Sequence, residues 1–289
     1  MPPDPDGPGA LSVENHDRDS TGMRYVYAVI SRRAGGVSVG INLNPNNACN
    51  WRCVYCQVPD LVRGSGPAID LPQLERELRE LLRELCEGDF MQRRVPEEMR
   101  VLRDLAFSGN GEPTSSPDFE GAIERAARVR AEFGLETQLP FVLISNGSLM
   151  GKSVVREGIA RLASHGGSVW FKLDSATAAG LERTCGTPID LELHLRRLTQ
   201  CAAICPTWIQ SCFFERAGTQ PDTAELDAYL AALARLRDDR VPIEGVLLYT
   251  LARESQQPQA AELAALSEAW LDAFAVRIAT LGLEVRISS

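Results

Sequence analysis

Short apolar runs and longer amphipathic runs alternate along most of the chain. Residues 37–43, 104–108, 140–145, 169–174, 207–213 and 243–250 are short and mostly apolar, as strands covered on both faces are. Leu74, Leu78, Leu81, Leu82 and Leu85 recur at the spacing of one helix face, and Glu75 and Arg79 make an i,i+4 pair on its outer side. Further helices are predicted over 119–133, behind the start signal Ser115-Ser116-Pro117-Asp118, and over 154–163, 191–203, 224–238 and, longest of all, 259–280. Residues 283–287 read as a short terminal strand. Six βα units in series imply a parallel sheet with right-handed crossovers. Six is fewer than the eight of a closed barrel, which favours an open partial (β/α)6 barrel; a doubly wound sheet is the alternative. No internal repeat or linker interrupts the series. One domain, residues 23–289, is expected after a Pro-, Asp-, Gly- and Ser-rich leader, residues 1–22, that reads as disordered.

Composition adds little to this picture but excludes several classes. The chain is 44% hydrophobic and 24% charged, ordinary for a globular protein. No stretch approaches the roughly 18 apolar residues of a membrane span, and the N-terminus has no apolar signal region, so a cytoplasmic location is expected. The formal charge of −9 weighs against a dedicated nucleic-acid binder, which neutralises phosphates with a basic surface. Eight cysteines in a reducing compartment read as metal ligands, core residues or redox groups rather than disulfides.

The candidate chemistry centres on Cys49, Cys53 and Cys56, three thiols in eight residues just after the first predicted strand. Asn42, Asn44, Pro45, Asn46 and Asn47 make the approach a loop, which can curl so that the thiolates converge. Structural zinc wants four ligands, and His16, His165 and His194, the chain's three histidines, are all distant in sequence. A four-iron cluster held by three thiolates would keep one iron open. Zinc with a distant fourth ligand, and inert buried cysteines, are the other readings.

Other polar residues fall at the ends of predicted strands. Gly109-Asn110-Gly111-Glu112-Pro113 combines flexible backbone with a carboxylate. Ser145-Asn146 ends the third strand. Lys172 and Asp174, alternate residues at the end of the fourth, share a face. Gln210 is a polar residue within a buried strand and needs a partner. Tyr249 and Arg253 close the sixth unit; Arg253 suits a carboxylate or phosphate or a structural role. Active sites in parallel β/α folds form at this end of the sheet.

The C-x3-C-x2-C spacing, with aromatic Tyr55 before the last cysteine, resembles the signature of the radical S-adenosylmethionine superfamily. The resemblance implies that Cys49, Cys53 and Cys56 bind one [4Fe–4S] cluster. The open iron would take the methionine amino and carboxylate groups, and reductive cleavage would release a 5′-deoxyadenosyl radical that abstracts hydrogen from a substrate. It implies cofactor binding by Tyr55, Gly109, Asn110, Gly111, Glu112, Pro113, Ser145 and Asn146, with Lys172, Asp174 and Gln210 lining the same cavity, and an external low-potential electron donor of flavodoxin or ferredoxin type. Tyr55 matches the aromatic position that packs near the adenine. Asn110 departs from the family's Gly-Gly-Glu-Pro segment. Ser31-Arg32-Arg33, Gly40-Ile41-Asn42-Leu43 and the cysteine run are similar to the wyosine-type tRNA-modifying members. No flavodoxin-like domain or basic tRNA-binding segment accompanies them, so the substrate could be a tRNA base, a small metabolite or a peptide; a non-catalytic metal-binding module is the alternative.

The remaining cysteines have blander readings. Cys201, Cys205 and Cys212 could hold an auxiliary cluster, but helix–strand packing would equally bury them. Cys185 could lie at the site mouth, and Cys86 reads as core.

Overall fold

The computed structural model describes residues 11, 21–31 and 35–288. The expected leader falls outside these apart from Leu11, Thr21 and Gly22; Leu11 is buried and its N–H donates to the Arg94 carbonyl at 2.8 Å. Arg32 and Arg33 also lie outside the described residues.

The strands are β1 (Val26–Ser31), β2 (Gly36–Ile41), β3 (Ala48–Cys49), β4 (Val62–Arg63), β5 (Leu102–Phe107), β6 (Phe141–Ser145), β7 (Ser168–Lys172), β8 (Thr207–Cys212), β9 (Phe214–Arg216), β10 (Ile243–Tyr249), β11 (Leu263–Ala265) and β12 (Val285–Ser288). The helices are α1 (Leu71–Cys86), α2 (Phe90–Arg94), α3 (Phe119–Glu132), α4 (Ser153–Ser164), α5 (Ala178–Cys185), α6 (Leu191–Ala202), α7 (Thr223–Asp238) and α8 (Glu268–Ala279). Eight strands form the main sheet in the order β1-β2-β5-β6-β7-β8-β10-β12. Within this sheet, among the described residues, only the β1–β2 pair is antiparallel. The order follows the chain without reversal, which excludes the doubly wound alternative.

The sheet is curled. In a flat eight-stranded sheet the edges would lie roughly 34 Å apart, at about 4.8 Å per strand. Yet Tyr27 on edge strand β1 and Ser288 on edge strand β12 line one cavity of about 290 Å³ together with Ser38, Asp104, Lys172 and Gln210. The result is the expected partial barrel: the six expected strands, the expected terminal strand as β12, and one unexpected antiparallel strand, β1.

Local chemistry explains most boundaries. Asp70 caps α1 by accepting from Gln73 N–H at 2.9 Å, and the five predicted leucines are its buried face. Thr177, Asp190, Asp222 and Ser267 cap α5, α6, α7 and α8 in the same way.

Two expectations need correction, and one element is new. The long helix predicted over 259–280 is instead a 3-10 turn, β11 and then α8. Ser267 starts α8 only after residues 263–265 have paired antiparallel with β9. Cys86 is exposed rather than core; as the last residue of α1 it lies beyond Leu85, which takes the inward position. The short helix α5 was not anticipated, because its eight residues make little more than two turns, too few for a face to repeat.

His194 on α6 ties the fold to the site. Its ring packs between Phe171, with centroids 5.0 Å apart, and Trp51, at 5.6 Å. Nε2–H donates to the Lys172 carbonyl at 2.8 Å. Burial pushes its pKa from 6.5 down to about 4. A histidine depressed in this way stabilises the fold above pH 6.5. As the pH falls from 6.5 toward 4 the unfolded chain binds the proton first and stability is lost; below 4 both states bind it and the loss saturates. Urea denaturation is therefore expected to show about 2 kcal/mol less stability from this group at pH 5 than at pH 7.5. His194→Gln should remove that component of the pH slope; an unchanged slope would refute the assignment.

Candidate functional site

The cysteine loop leaves β2 and is fixed before it reaches its first thiol. Asn42 Oδ1 accepts from the N–H groups of Asn44 (3.0 Å) and Asn110 (3.1 Å). Asn44 Nδ2 donates to the Ala48 carbonyl at 2.9 Å and to Ser115 Oγ at 3.2 Å. Asn110 Nδ2 donates to Asn47 Oδ1 at 2.6 Å, and Asn47 itself has φ of 53°, a conformation asparagine tolerates. The asparagines are thus staples as well as loop formers.

Two further segments hold the loop on either side. The N–H groups of Arg52 and Val54 donate to the carbonyls of Cys185 and Thr184, each at 2.9 Å. These are carbonyls at the C-terminal end of α5, which no further turn of that helix would satisfy. Gly186 ends α5 with φ of 63°, and a Cβ there would lie 2.3 Å from the Arg52 carbonyl oxygen. On the other side, Ser255 Oγ donates to the Val54 carbonyl at 2.6 Å, and Gln257 Nε2 donates to the carbonyls of Cys56 (3.3 Å) and Val58 (2.9 Å). Neither Ser255 nor Gln257 was singled out in the sequence, where nothing distinguishes them from solvated loop residues.

The glycine loop after β5 packs directly on the cysteine loop. A Cβ on Gly111 would meet the Ala48 carbonyl oxygen at 2.0 Å, and Gly109 has φ of 147° with Asn42 Oδ1 2.5 Å from a would-be Cβ. Glu112 is buried and its carboxylate faces four donors. Oε1 accepts from Thr114 N–H (3.2 Å), Thr114 Oγ1 (2.6 Å) and Ser145 Oγ (2.7 Å), while Oε2 accepts from Asn146 N–H (2.7 Å). Burial raises its pKa, and those hydrogen bonds oppose the rise. Glu112 therefore locks the β5 loop to the end of β6. Asn146 Nδ2 continues the chain of contacts to Asn50 Oδ1 at 2.8 Å, inside the cysteine loop.

Lys172, Tyr55 and Asp174 form one buried group. Lys172 donates to the Tyr55 hydroxyl and its ammonium lies 4.6 Å from the centre of that ring. The Tyr55 hydroxyl donates to Asp174 Oδ2 at 2.5 Å, and Asp174 Oδ1 accepts from the Cys212 N–H at 2.9 Å. The direct Lys172–Asp174 separation is 3.8 Å, so the expected pair is real but bridged by the tyrosine. Burial and the Asp174 charge hold the Tyr55 phenol well above its ordinary range. Burial alone would lower the Lys172 pKa; the negative charge of Asp174 opposes this, and the Lys172 pKa is held above its ordinary value.

The three cysteines are half-buried and line the same cavity as Glu112, Asn146, Lys172 and Gln210. Burial pushes the Cys49 thiol up to about 12. The neighbouring Cys185 thiol draws the Cys53 pKa below the ordinary range, against burial. Among the described residues, no three His, Cys, Asp or Glu side chains converge on a point that would hold a single metal ion. Tetrahedral zinc, with zinc–sulfur bonds near 2.3 Å, needs sulfurs about 3.8 Å apart. A zinc ion would need a fourth ligand beside these three thiols, whereas a four-iron cluster held by three thiolates would keep one iron open.

The other candidates separate. Cys201 and Cys205 are buried on the helix side of the sheet, with the Thr207 hydroxyl 3.6 Å from the Cys201 sulfur and the Cys205 thiol donating to the Gly167 carbonyl at 3.4 Å. Cys212 lies on the opposite, cavity face, so the three are not placed for an auxiliary cluster. Cys185 is not at the site mouth; it is fully buried behind the cysteine loop against Trp51 and Leu181. Arg253 lines the cavity and donates to the Ile30 carbonyl at 3.4 Å.

Residues 43–215, more than half of the 289-residue chain, match the model of the Radical SAM superfamily. The chain belongs to this superfamily. It is accordingly an enzyme of the radical SAM type, in a family that implies an iron–sulfur cluster and S-adenosylmethionine. GTPase Obg of Brachyspira hyodysenteriae is 26% identical over 150 residues, 52% of this chain and 19% of that protein. UPF0026 protein MJ1312 of Methanocaldococcus jannaschii is 27% identical over 158 residues, 53% of this chain and 41% of that one. The matched segments thus span less than half of each curated relative. SuiB of Streptococcus suis, solved with S-adenosylmethionine bound, aligns over 88% of this chain and 47% of its own at 10% identity, with a TM-score of 0.52, a likeness of fold. No helix among the described residues is long and apolar enough to cross a membrane.

The packing of the two loops makes a direct prediction. Gly111→Ala would drive a methyl group into the Ala48 carbonyl, whereas Gly151 has nothing within 4 Å of a would-be Cβ. Gly111→Ala is expected to cost about 2 kcal/mol or more and Gly151→Ala to stay within about 0.5 kcal/mol of the parent, both measured by urea denaturation. Equal effects would refute the close approach.

Proposed function

We propose that Cys49, Cys53 and Cys56 hold a [4Fe–4S] cluster with one open iron, and that the enzyme uses it to turn S-adenosylmethionine into a hydrogen-abstracting radical reagent. The observation that carries this reading is the placement of all three thiols on one cavity, in a loop pinned by Arg52, Val54, Ser255 and Gln257. When bound, the cluster would supply the electron that cleaves the cofactor's carbon–sulfur bond.

The protein's own groups do the positioning. The Gly109–Pro113 segment would present its backbone to the methionine end of the cofactor, with Glu112 holding that backbone rigid from beneath. Asn146 Oδ1 and Nδ2 are engaged by Ser148 and Asn50, so Ser145 and Asn146 act by fixing the cavity wall. Lys172 brings a positive charge to that wall, suited to a carboxylate, and Tyr55 offers its ring face to the adenine while Asp174 fixes its hydroxyl. Burial of these groups keeps water from the reacting atoms. The electron comes from outside the chain, from a low-potential donor of flavodoxin or ferredoxin type.

Anaerobic reconstitution with iron and sulfide tests the reading. The protein is expected to take up about four irons and four sulfides and, with dithionite and S-adenosylmethionine, to form 5′-deoxyadenosine. Cys53→Ala should lose the visible cluster absorption. An intact four-iron cluster that yields no 5′-deoxyadenosine, or zinc without labile sulfide, would overturn the proposal.

A further inference from the structure

Gln210 stands apart from the other buried amides. Asn42, Asn44, Asn146 and Gln257 each engage at least one partner through the side chain. The Gln210 carboxamide makes no hydrogen bond within the described residues, although the residue is only 2% exposed and lines the cavity. Such a group can donate two hydrogen bonds and accept two, and buried polar groups in native proteins are rarely left unpaired.

Its position in the sheet says what kind of ligand it faces. Gln210 pairs in register with Lys172 on β7 and with Leu247 on β10. Cys212, two residues on, lies on the same face at the strand's end, so Gln210 sits about 7 Å deeper in the barrel. The cysteine loop, the Gly109–Pro113 segment and Asn146 all lie at the strand ends above it. Trp170, one pleat repeat before Lys172 and in register with Trp208, lines the cavity about 7 Å deeper still. Gln210 is neutral, so it does not compensate a phosphate, a carboxylate or an amine. It offers a donor beside an acceptor in one plane, with the flat apolar surface of an indole on the cavity wall below it. An aliphatic ligand would leave the amide as unpaired as before.

We propose that Gln210 is the substrate-reading residue: it pairs with a neutral planar group carrying adjacent donor and acceptor, an amide or lactam edge, seated above Trp170. The inference rests on the proposed cofactor site above it, which reserves the deeper part of the cavity for substrate.

The test compares the parent with Gln210→Met, similar in size and without the amide. Because the amide contributes no bond to the protein, the variant should unfold at the same temperature or higher; a fall of more than about 4 °C would make Gln210 structural and overturn the proposal. Anaerobic equilibrium dialysis of the reconstituted protein then measures 2-pyridone and nicotinamide against pyridine and nicotinate. The parent should favour the first pair at least tenfold, and Gln210→Met should abolish the preference. No preference in the parent, or a preference that survives in the variant, refutes the assignment. A tenfold loss of S-adenosylmethionine affinity in the variant would assign the amide to the cofactor instead, which also refutes it. Iron content and S-adenosylmethionine binding of the parent, measured on the same samples, show separately whether the cofactor site itself stands.

Discussion

The site depends on how a loop without regular structure is held still at the mouth of an open barrel. Backbone N–H groups of Arg52 and Val54 meet the terminal carbonyls of α5, and Ser255 and Gln257 hold the carbonyls of Val54, Cys56 and Val58 from the other side. Each contact satisfies a group that would otherwise be stranded, because helix-end carbonyls and loop amides both lack partners of their own. The cysteines gain fixed directions without disulfides, and only Cys49, in the two-residue strand β3, belongs to a strand. Gly111 lets the neighbouring loop come close enough to complete the wall, and Glu112 anchors that loop to β6.

Charge is handled in the same economical way. Asp174 is buried and Lys172 half-buried, and separate charges there would be unfavourable. Tyr55 bridges them, accepting from one and donating to the other, so a positive charge is kept on the cavity wall with its counter-charge one residue behind. Tyr55 belongs to the cysteine loop, so the same contact also ties that loop to the end of β7. His194, neutral and buried, supports the other side of this arrangement through Trp51 and the Lys172 carbonyl.

Much of this was legible in the sequence. The six parallel strands appear as short apolar runs because both their faces are buried, and the leucine face of α1 is explicit in its spacing. Cys49, Cys53 and Cys56, the glycine loop and the Lys172–Asp174 alternation all pointed to one end of the sheet. What escaped the pattern is physically instructive. β1 lies in a continuous apolar stretch with no helical unit after it, and so falls outside a βα rhythm. β9 and β11 are three-residue strands that exist only as each other's partners. Residues 259–266 have helix-forming composition, and the pairing with β9 overrides it. α5 is only eight residues long, yet its end carbonyls fix the cysteine loop. Contacts such as Ser255–Val54 join residues about 200 positions apart, and no local signal announces them. Gln210 is the opposite case: its polarity in a buried strand was visible from the start, and the structure sharpens it into an amide facing the cavity.

The central claim is that three thiols leave one coordination position open for S-adenosylmethionine. Electron paramagnetic resonance of the reconstituted, dithionite-reduced protein, recorded with and without S-adenosylmethionine, tests it most directly. Binding at the cluster should change the g values of the reduced four-iron signal. Identical spectra at saturating S-adenosylmethionine, on a sample with a full complement of iron and sulfide, would contradict it.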